Sequence, residues 1–270
     1  MEIIGYLASL IIGISLGLIG GGGSILTVPV LVYLMGVEPV MATAYSLFIV
    51  GSTSLVGALP KYKQGLVNLK TAIIFGAPSI LSVFATRKYI IPMIPNEVFT
   101  IGGFVVTKSI LMMVLFAVLM VFASISMIRT QKKPVELENG EQKFNYPLIL
   151  LEGAIVGILT GLVGAGGGFL IIPALVLLSK LPMKQAVGTS LLIIAAKSLI
   201  GFTGDLSHTK MDWKLLLIVT ALAIVGIFIG DKLSKKIDGD SLKKGFGWFV
   251  LVMGIYIIVQ QLFFPLGGGH

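Results

Sequence analysis

Residues 17–31 read GLIGGGGSILTVPVL. Five glycines and a proline stand here inside an unbroken apolar run. Glycine in a helix interior costs roughly 1 kcal/mol relative to alanine, so an ordinary spanning helix is not composed this way. The phrase returns at residues 161–175 as GLVGAGGGFLIIPAL. The chain therefore interrupts its own helices twice, at matching places, in the middle of apolar sequence.

The surroundings define the solvent. The chain has 270 residues, 56% hydrophobic and 12% charged. A soluble domain carries about 25% charged residues, and apolar runs near 20 residues indicate a chain that crosses a bilayer repeatedly. Net charge is +8, with lysines scattered over short loops. That scatter argues against a basic patch for nucleic acid. There is no cysteine, which excludes disulfides, thiolate metal sites and cysteine nucleophiles. No Ser–His–Asp set, glycosidase carboxylate pair or HExxH stands out, and His208 lacks metal-ligand spacing. Neither an enzyme nor a cofactor is expected. The opening MEIIGYLASLII lacks a basic n-region and reads as a first membrane segment rather than a cleaved signal. Residues 265–270 resemble the stub of an expression tag.

Apolar segments run at 3–20, 24–35, 41–59, 71–88 and 104–128, then at 147–163, 167–179, 185–203, 213–231 and 245–264. The polar stretch 129–146 separates the two series. At an offset of 144 residues, 17–71 and 161–215 align without a gap and share 18 of 55 positions. Glycines and a proline in fixed register (Gly20/Gly164, Gly22/Gly166, Gly23/Gly167, Pro29/Pro173) mark an internal duplication, with 1–128 and 147–264 as its copies.

Loop charge decides the relative orientation. If the chain runs straight through residues 20–23, basic residues divide almost evenly between the two sides. If it turns back there, fourteen collect on one side and five on the other (Arg87, Lys88, Lys108, Lys210, Lys214). Cytoplasmic loops are rich in Lys and Arg. The reading is thus an all-α polytopic membrane protein of two inverted-topology repeats, each of about five helical segments. Both termini are expected outside the cell membrane and the linker in the cytoplasm. The second segment of each repeat is short. Twelve residues rise about 18 Å against a hydrocarbon core of about 30 Å, so the first pair of each repeat is expected to be a broken or re-entrant Gly-rich hairpin.

Paired broken helices in corresponding places of two halves point to a transporter's midplane site. Irregular backbone is tolerated there only when buried in protein or lining a wet cavity. Short helices expected to start near Ser24 and Gly168 would offer N–H groups and a positive dipole end to an anion. The candidate substrate residues are Gly20, Gly21, Gly22, Gly23, Ser24, Gly164, Gly166, Gly167 and Gly168. The competing reading is close helix packing through small residues. Lys197 lies mid-segment in SLLIIAAKSLIGF, where a charge has to face a cavity or a partner. Either it binds an anion, or it snorkels or pairs with Asp205 or Asp231. Ser46, Thr53, Thr189 and Ser190 offer hydroxyls that either donate to an oxyanion or bond their own helices. Asp205, His208 and Asp212 read as an outer loop, Glu152 as interfacial, and Met112 and Met113 as lipid-facing or packing residues.

The repeated phrase, with AVGTSL after the second copy, resembles the TauE/SafE family of bacterial membrane proteins. The resemblance covers nearly the whole chain. It implies transport, typically export, of a small anion such as sulfite, an organosulfonate or a carboxylate. The expectation is a secondary transporter in the plasma membrane, with protons or the membrane potential as the coupling agent. An uncoupled anion channel and a membrane scaffold or accessory subunit are the alternatives. The copies depart from symmetry at Ser24/Gly168, Tyr45/Thr189 and Thr53/Lys197.

Overall fold

The computed structural model describes residues 2–101, 104–129, 146–177, 181–207, 210–234 and 239–263. Most of the polar linker, His208 and residues 265–270 lie outside them. The helices are α1 (Glu2–Ile19), α2 (Pro39–Lys63), α3 (Leu69–Met93), α4 (Lys108–Arg129), α5 (Tyr146–Val163), α6 (Gly168–Leu177), α7 (Met183–Asp205), α8 (Trp213–Ser234) and α9 (Gly239–Phe263). Seven stretches among the described residues are long and apolar enough to cross a membrane. This is an all-α polytopic membrane protein.

By length, Ile4–Leu34 is one such stretch of 31 residues. A straight helix of that length would span about 46 Å. Its ends nevertheless touch, since a Cβ on Gly5 would lie 2.6 Å from Cγ of Met35. Closer to the bend, Ser15 Oγ donates to the Gly23 carbonyl at 3.3 Å. The chain turns back at Gly20, where φ is +71°. The return limb is a 3-10 turn at Gly20–Leu26, a short α turn at Thr27–Pro29 and a π turn at Val30–Leu34. The second glycine phrase turns between α5 and α6, with φ of +73° at Gly164, +64° at Gly166 and +71° at Gly167. These four positions require glycine, because other L residues rarely adopt that conformation.

Glycines within the helices set the packing. Gly13 and Gly17 of α1 lie against the backbone of Ala223 and Gly230 in α8. Gly157 and Gly161 of α5 lie against the Ser79 backbone and the Thr86 side chain of α3. These contacts are one arrangement repeated at an offset of 144 residues. In both cases the helices run parallel and small residues let the backbones approach. By contrast, α2 and α7 cross antiparallel: Gly51 meets Leu199, Gly57 meets Leu191 and Gly201 meets Leu47. Helices α4 and α9 are antiparallel too, with Gly247 at Met127 and Gly254 at Met120. Met112 and Met113 are buried packing residues, whereas Ile73, Leu81, Phe122 and Val252 are exposed on the outside of the bundle.

Three local expectations differ from the structure. Residues 104–107 are not helical. They form β2 (Phe104–Thr107), paired antiparallel with β1 (Glu97–Ile101). Valines beside an aromatic favour this extended state. Helix α3 continues through a π turn at Thr86–Ile90 to Met93, so Arg87 is not in a loop but buried. No α-helix starts at Ser24, which sits inside the 3-10 turn. Of the two expected helix N-termini, only the one at Gly168 is present.

Candidate functional site

The two glycine turns meet. A Cβ on Gly168 would fall inside the backbone of Gly21, and one on Gly21 would meet the Gly168 Cα at 2.7 Å. Gly166 faces Val50 of α2, Ile194 of α7 and, at 3.4 Å, Cβ of Ser24. The contact therefore sits at the middle of the crossing between α2 and α7. Ser24 is buried and donates to the Gly21 carbonyl at 2.7 Å. Gly22 and Gly23 face their own hairpin, at Ile19 and at Ser15 and Leu16. Gly20 abuts Val187 and Gly164 abuts Thr43, again one contact repeated at the same offset.

Lys197 reaches this junction. Its side chain is fully buried, and Nζ donates to Thr160 Oγ1 at 3.0 Å. A Cβ on Gly167 would lie 2.7 Å from that Nζ. Both carboxylates proposed as partners are engaged elsewhere, Asp231 with Lys61 at 2.7 Å and Asp205 with Arg87 at 3.4 Å. Among the described residues no carboxylate pairs with Lys197. Thr160 was not foreseen. It stands where the first copy has Leu16, as Lys197 stands where the first copy has Thr53. Two departures from symmetry therefore touch each other, and that is the only sequence signal that could have found Thr160.

The hydroxyls divide into two groups. Thr53 donates to Ile49 O at 2.6 Å and Ser190 to Val187 O at 2.8 Å, both within their own helices. Thr189 Oγ1 accepts from Asn68 N at 2.9 Å, and Tyr45 OH accepts from Asp212 N at 2.6 Å. Asn68 and Asp212 in turn receive the N–H of Thr71 and of Leu215 at the starts of α3 and α8. Tyr45 and Thr189 thus differ in identity and share one task, holding the cap residue of the other copy's next helix. Asp212 is an exposed residue of the segment before α8, and its side chain caps that helix. Asp205, in contrast, is buried at the end of α7. Thr189→Val removes one hydrogen bond, worth about 1 kcal/mol. It is expected to lower the thermal midpoint by a few degrees while shifting the apparent affinity for a transported anion by less than about twofold, read by unfolding and uptake on the same preparation.

The hydroxyls of four serines, Ser46, Ser54, Ser79 and Ser198, and of Thr27, Thr71 and Thr86 lack hydrogen-bond partners although fully buried. Ser54 and Ser198 are equivalent at the 144-residue offset, and Ser198 adjoins Lys197 in the chain. Buried hydroxyls are normally satisfied, so each such exception requires an explanation. The centre of the molecule therefore sets a buried lysine with spare donor capacity against closely packed glycine backbone, with the idle hydroxyls of Ser54 and Ser198 on the two crossing helices.

A family model described as sulfite exporter TauE/SafE matches residues 5–257. The chain belongs to the TauE/SafE family. It is similar to a probable membrane transporter protein of Xylella fastidiosa (strain 9a5c), 29% identical over 92% of this chain and 91% of that one. It is also similar to the probable membrane transporter protein YunE of Bacillus subtilis (strain 168), 29% identical over 93% of this chain and 92% of that one. A further relative in Haemophilus influenzae bears the same description, with 26% identity over 92% of this chain. No solved structure matches the chain. This TauE/SafE protein is accordingly a multi-pass membrane transporter acting on a small substrate, and not an enzyme.

Proposed function

We propose that this TauE/SafE protein is a secondary transporter that exports a small oxyanion across the plasma membrane, with sulfite, an organosulfonate or a carboxylate as the substrate class. The anion binds where the two glycine turns meet, against Lys197, Gly166, Gly167 and Gly168 of the second copy and Gly21 and Ser24 of the first. Ser54 and Ser198 complete its hydrogen bonding. One observation carries the reading: Lys197 is fully buried at this junction with a single hydroxyl partner and no carboxylate. A charge at the bilayer centre costs about 2.5–3.5 kcal/mol on insertion scales. One charge-assisted hydrogen bond offsets only part of that, and a bound anion supplies the remainder.

The halves 1–128 and 147–264 act as inverted repeats around this site, with both termini outside and the linker in the cytoplasm. The antiparallel crossing of the equivalent helices α2 and α7 supports that arrangement, because an in-plane axis reverses each element it relates. Rocking one half against the other would then expose the site alternately to the two sides.

Flux into proteoliposomes across sulfite, sulfoacetate, sulfate, thiosulfate and acetate tests the reading. Saturable uptake of at least one anion with accelerated exchange is expected, and proton and potassium ionophores separate proton coupling from potential-driven movement. Unsaturable flux without counterflow would identify a channel. No flux of any anion by folded protein would overturn the proposal.

A further inference from the structure

Two ion pairs flank the glycine junction at opposite ends of the α2/α7 crossing. Lys61 near the end of α2 pairs with Asp231 of α8. Asp205 at the end of α7 pairs with Arg87 of α3. The offset that relates the two halves takes Lys61 onto Asp205 and Arg87 onto Asp231. The pairs are thus equivalent in position and reversed in sign. Each one joins the third segment of one half (α2 or α7) to the fourth segment of the other (α8 or α3).

Their placement brackets the site. Arg87 Nη1 donates to Thr43 Oγ1 at 3.0 Å, and Thr43 abuts Gly164. Lys61 lies beside Gly188, next to Val187, which abuts Gly20. Along α2 the two ends, Thr43 and Lys61, are separated by about 27 Å of helix, with Val50 and the glycine junction between them. The pairs are unequally sealed. The Arg87 and Asp205 side chains are 0% and 8% exposed, whereas those of Lys61 and Asp231 are 18% and 23%. The Lys61 pair also lines a narrow cleft with Gly17, Gly57, Val187 and Ile227, holding about 20 Å³ for water, enough for a single molecule.

We propose that Lys61–Asp231 and Arg87–Asp205 are the two alternately opening gates of the transporter, and that each cation, once released from its carboxylate, is the first contact of the oxyanion entering on that side. A gate has to join the parts that separate, and each pair bridges the two halves. Arg87 also keeps Nε and Nη2 without hydrogen-bond partners at full burial. A guanidinium with idle donors suits an oxyanion, which it can grip with two parallel bonds. The inference rests on the transport reading above, and its test is chosen to fail independently.

The chain has no cysteine, so Val187→Cys places a unique thiol in the cleft inside the Lys61 gate. Its rate of reaction with a water-soluble thiol reagent reports opening of that end without any transported ligand. Asp231→Asn in this background is expected to raise the rate by about tenfold, and Asp205→Asn to lower it, since loosening either gate shifts the population toward that open side. Rates that do not change, or that move in the same direction, overturn the inference. As a second measurement, Lys61→Cys with Asp231→Cys, joined by a reducible bifunctional reagent, is expected to lose anion exchange by at least about tenfold and to regain it on reduction, because a locked gate stops the cycle. Exchange at the unlinked rate also overturns it. Reciprocal labelling without anion flux in the parent protein would sink the transport reading and leave the gates standing. Flux with unchanged labelling would do the opposite.

Discussion

Lys197→Met is expected to lower anion uptake by about two orders of magnitude, while yield and thermal midpoint stay level or rise. The size follows from what is lost. A charge-assisted hydrogen bond to a desolvated oxyanion is worth about 1.5–3 kcal/mol, and the Coulomb attraction in a site of low dielectric adds to it. Each 1.4 kcal/mol is a factor of ten. Stability moves the other way, because replacing a buried charge by an apolar side chain of similar shape removes a desolvation cost. Thr160 is not orphaned by the change, since its hydroxyl already donates to Gly157 O at 3.3 Å. Initial uptake rate against substrate concentration, beside a melting curve of the same preparation, checks both halves of the expectation. Unchanged affinity and rate would remove Lys197 from the site. A collapse of the melting temperature would mean that the lysine serves the fold instead.

The sequence exposes this lysine because the bilayer makes charge conspicuous. A mid-segment cation in an apolar helix has few uses, and glycine clusters in an apolar run have fewer. Each of the ten apolar segments overlaps an observed element, with ends displaced by up to six residues, because in lipid hydrophobic length and helical length largely coincide. Arg87 was hidden by its position near a segment end. There a basic residue reads as a loop flank, and only the π turn and Asp205 draw it inside. The pairing of Lys61 with Asp231 joins residues 170 positions apart and depends on how the halves dock. Local pattern carries no trace of that docking. It was nevertheless latent in the duplication, because the 144-residue offset places an acid opposite a base at both positions. Tyr45 and Thr189 show the converse. They differ in identity, yet both hydroxyls accept from the backbone of an equivalent cap residue. The β1–β2 hairpin escaped because apolar content over 104–107 does not separate strand from helix in so short a run.

Gly168→Val is expected to fail differently from Lys197→Met, losing fold and transport together. A Cβ at this position would lie inside the Gly21 backbone, and backbone, unlike the end of a long side chain, cannot step aside. Relief requires the two glycine turns to separate. That would pull Gly166 away from Val50 and Ile194, and Gly167 away from Thr160 and Lys197. Overpacking in a well-packed core costs about 1–3 kcal/mol where side chains can adjust, and more where they cannot. The variant should therefore give little monodisperse protein, or a thermal midpoint lower by about 10 °C or more. Gly245→Ala supplies the contrast. That glycine is helical with open space around it, and alanine there should raise stability by about 0.5–1 kcal/mol. Gly168→Val protein that melts and transports like the parent would show that the turns need not touch, and the anion site built on their junction would fall with that contact. Loss of fold in Gly168→Val, beside loss of flux alone in Lys197→Met, would separate the two tasks that the glycine phrase and the lysine perform. The glycines bring the two halves into backbone contact, and the lysine gives the resulting junction its charge.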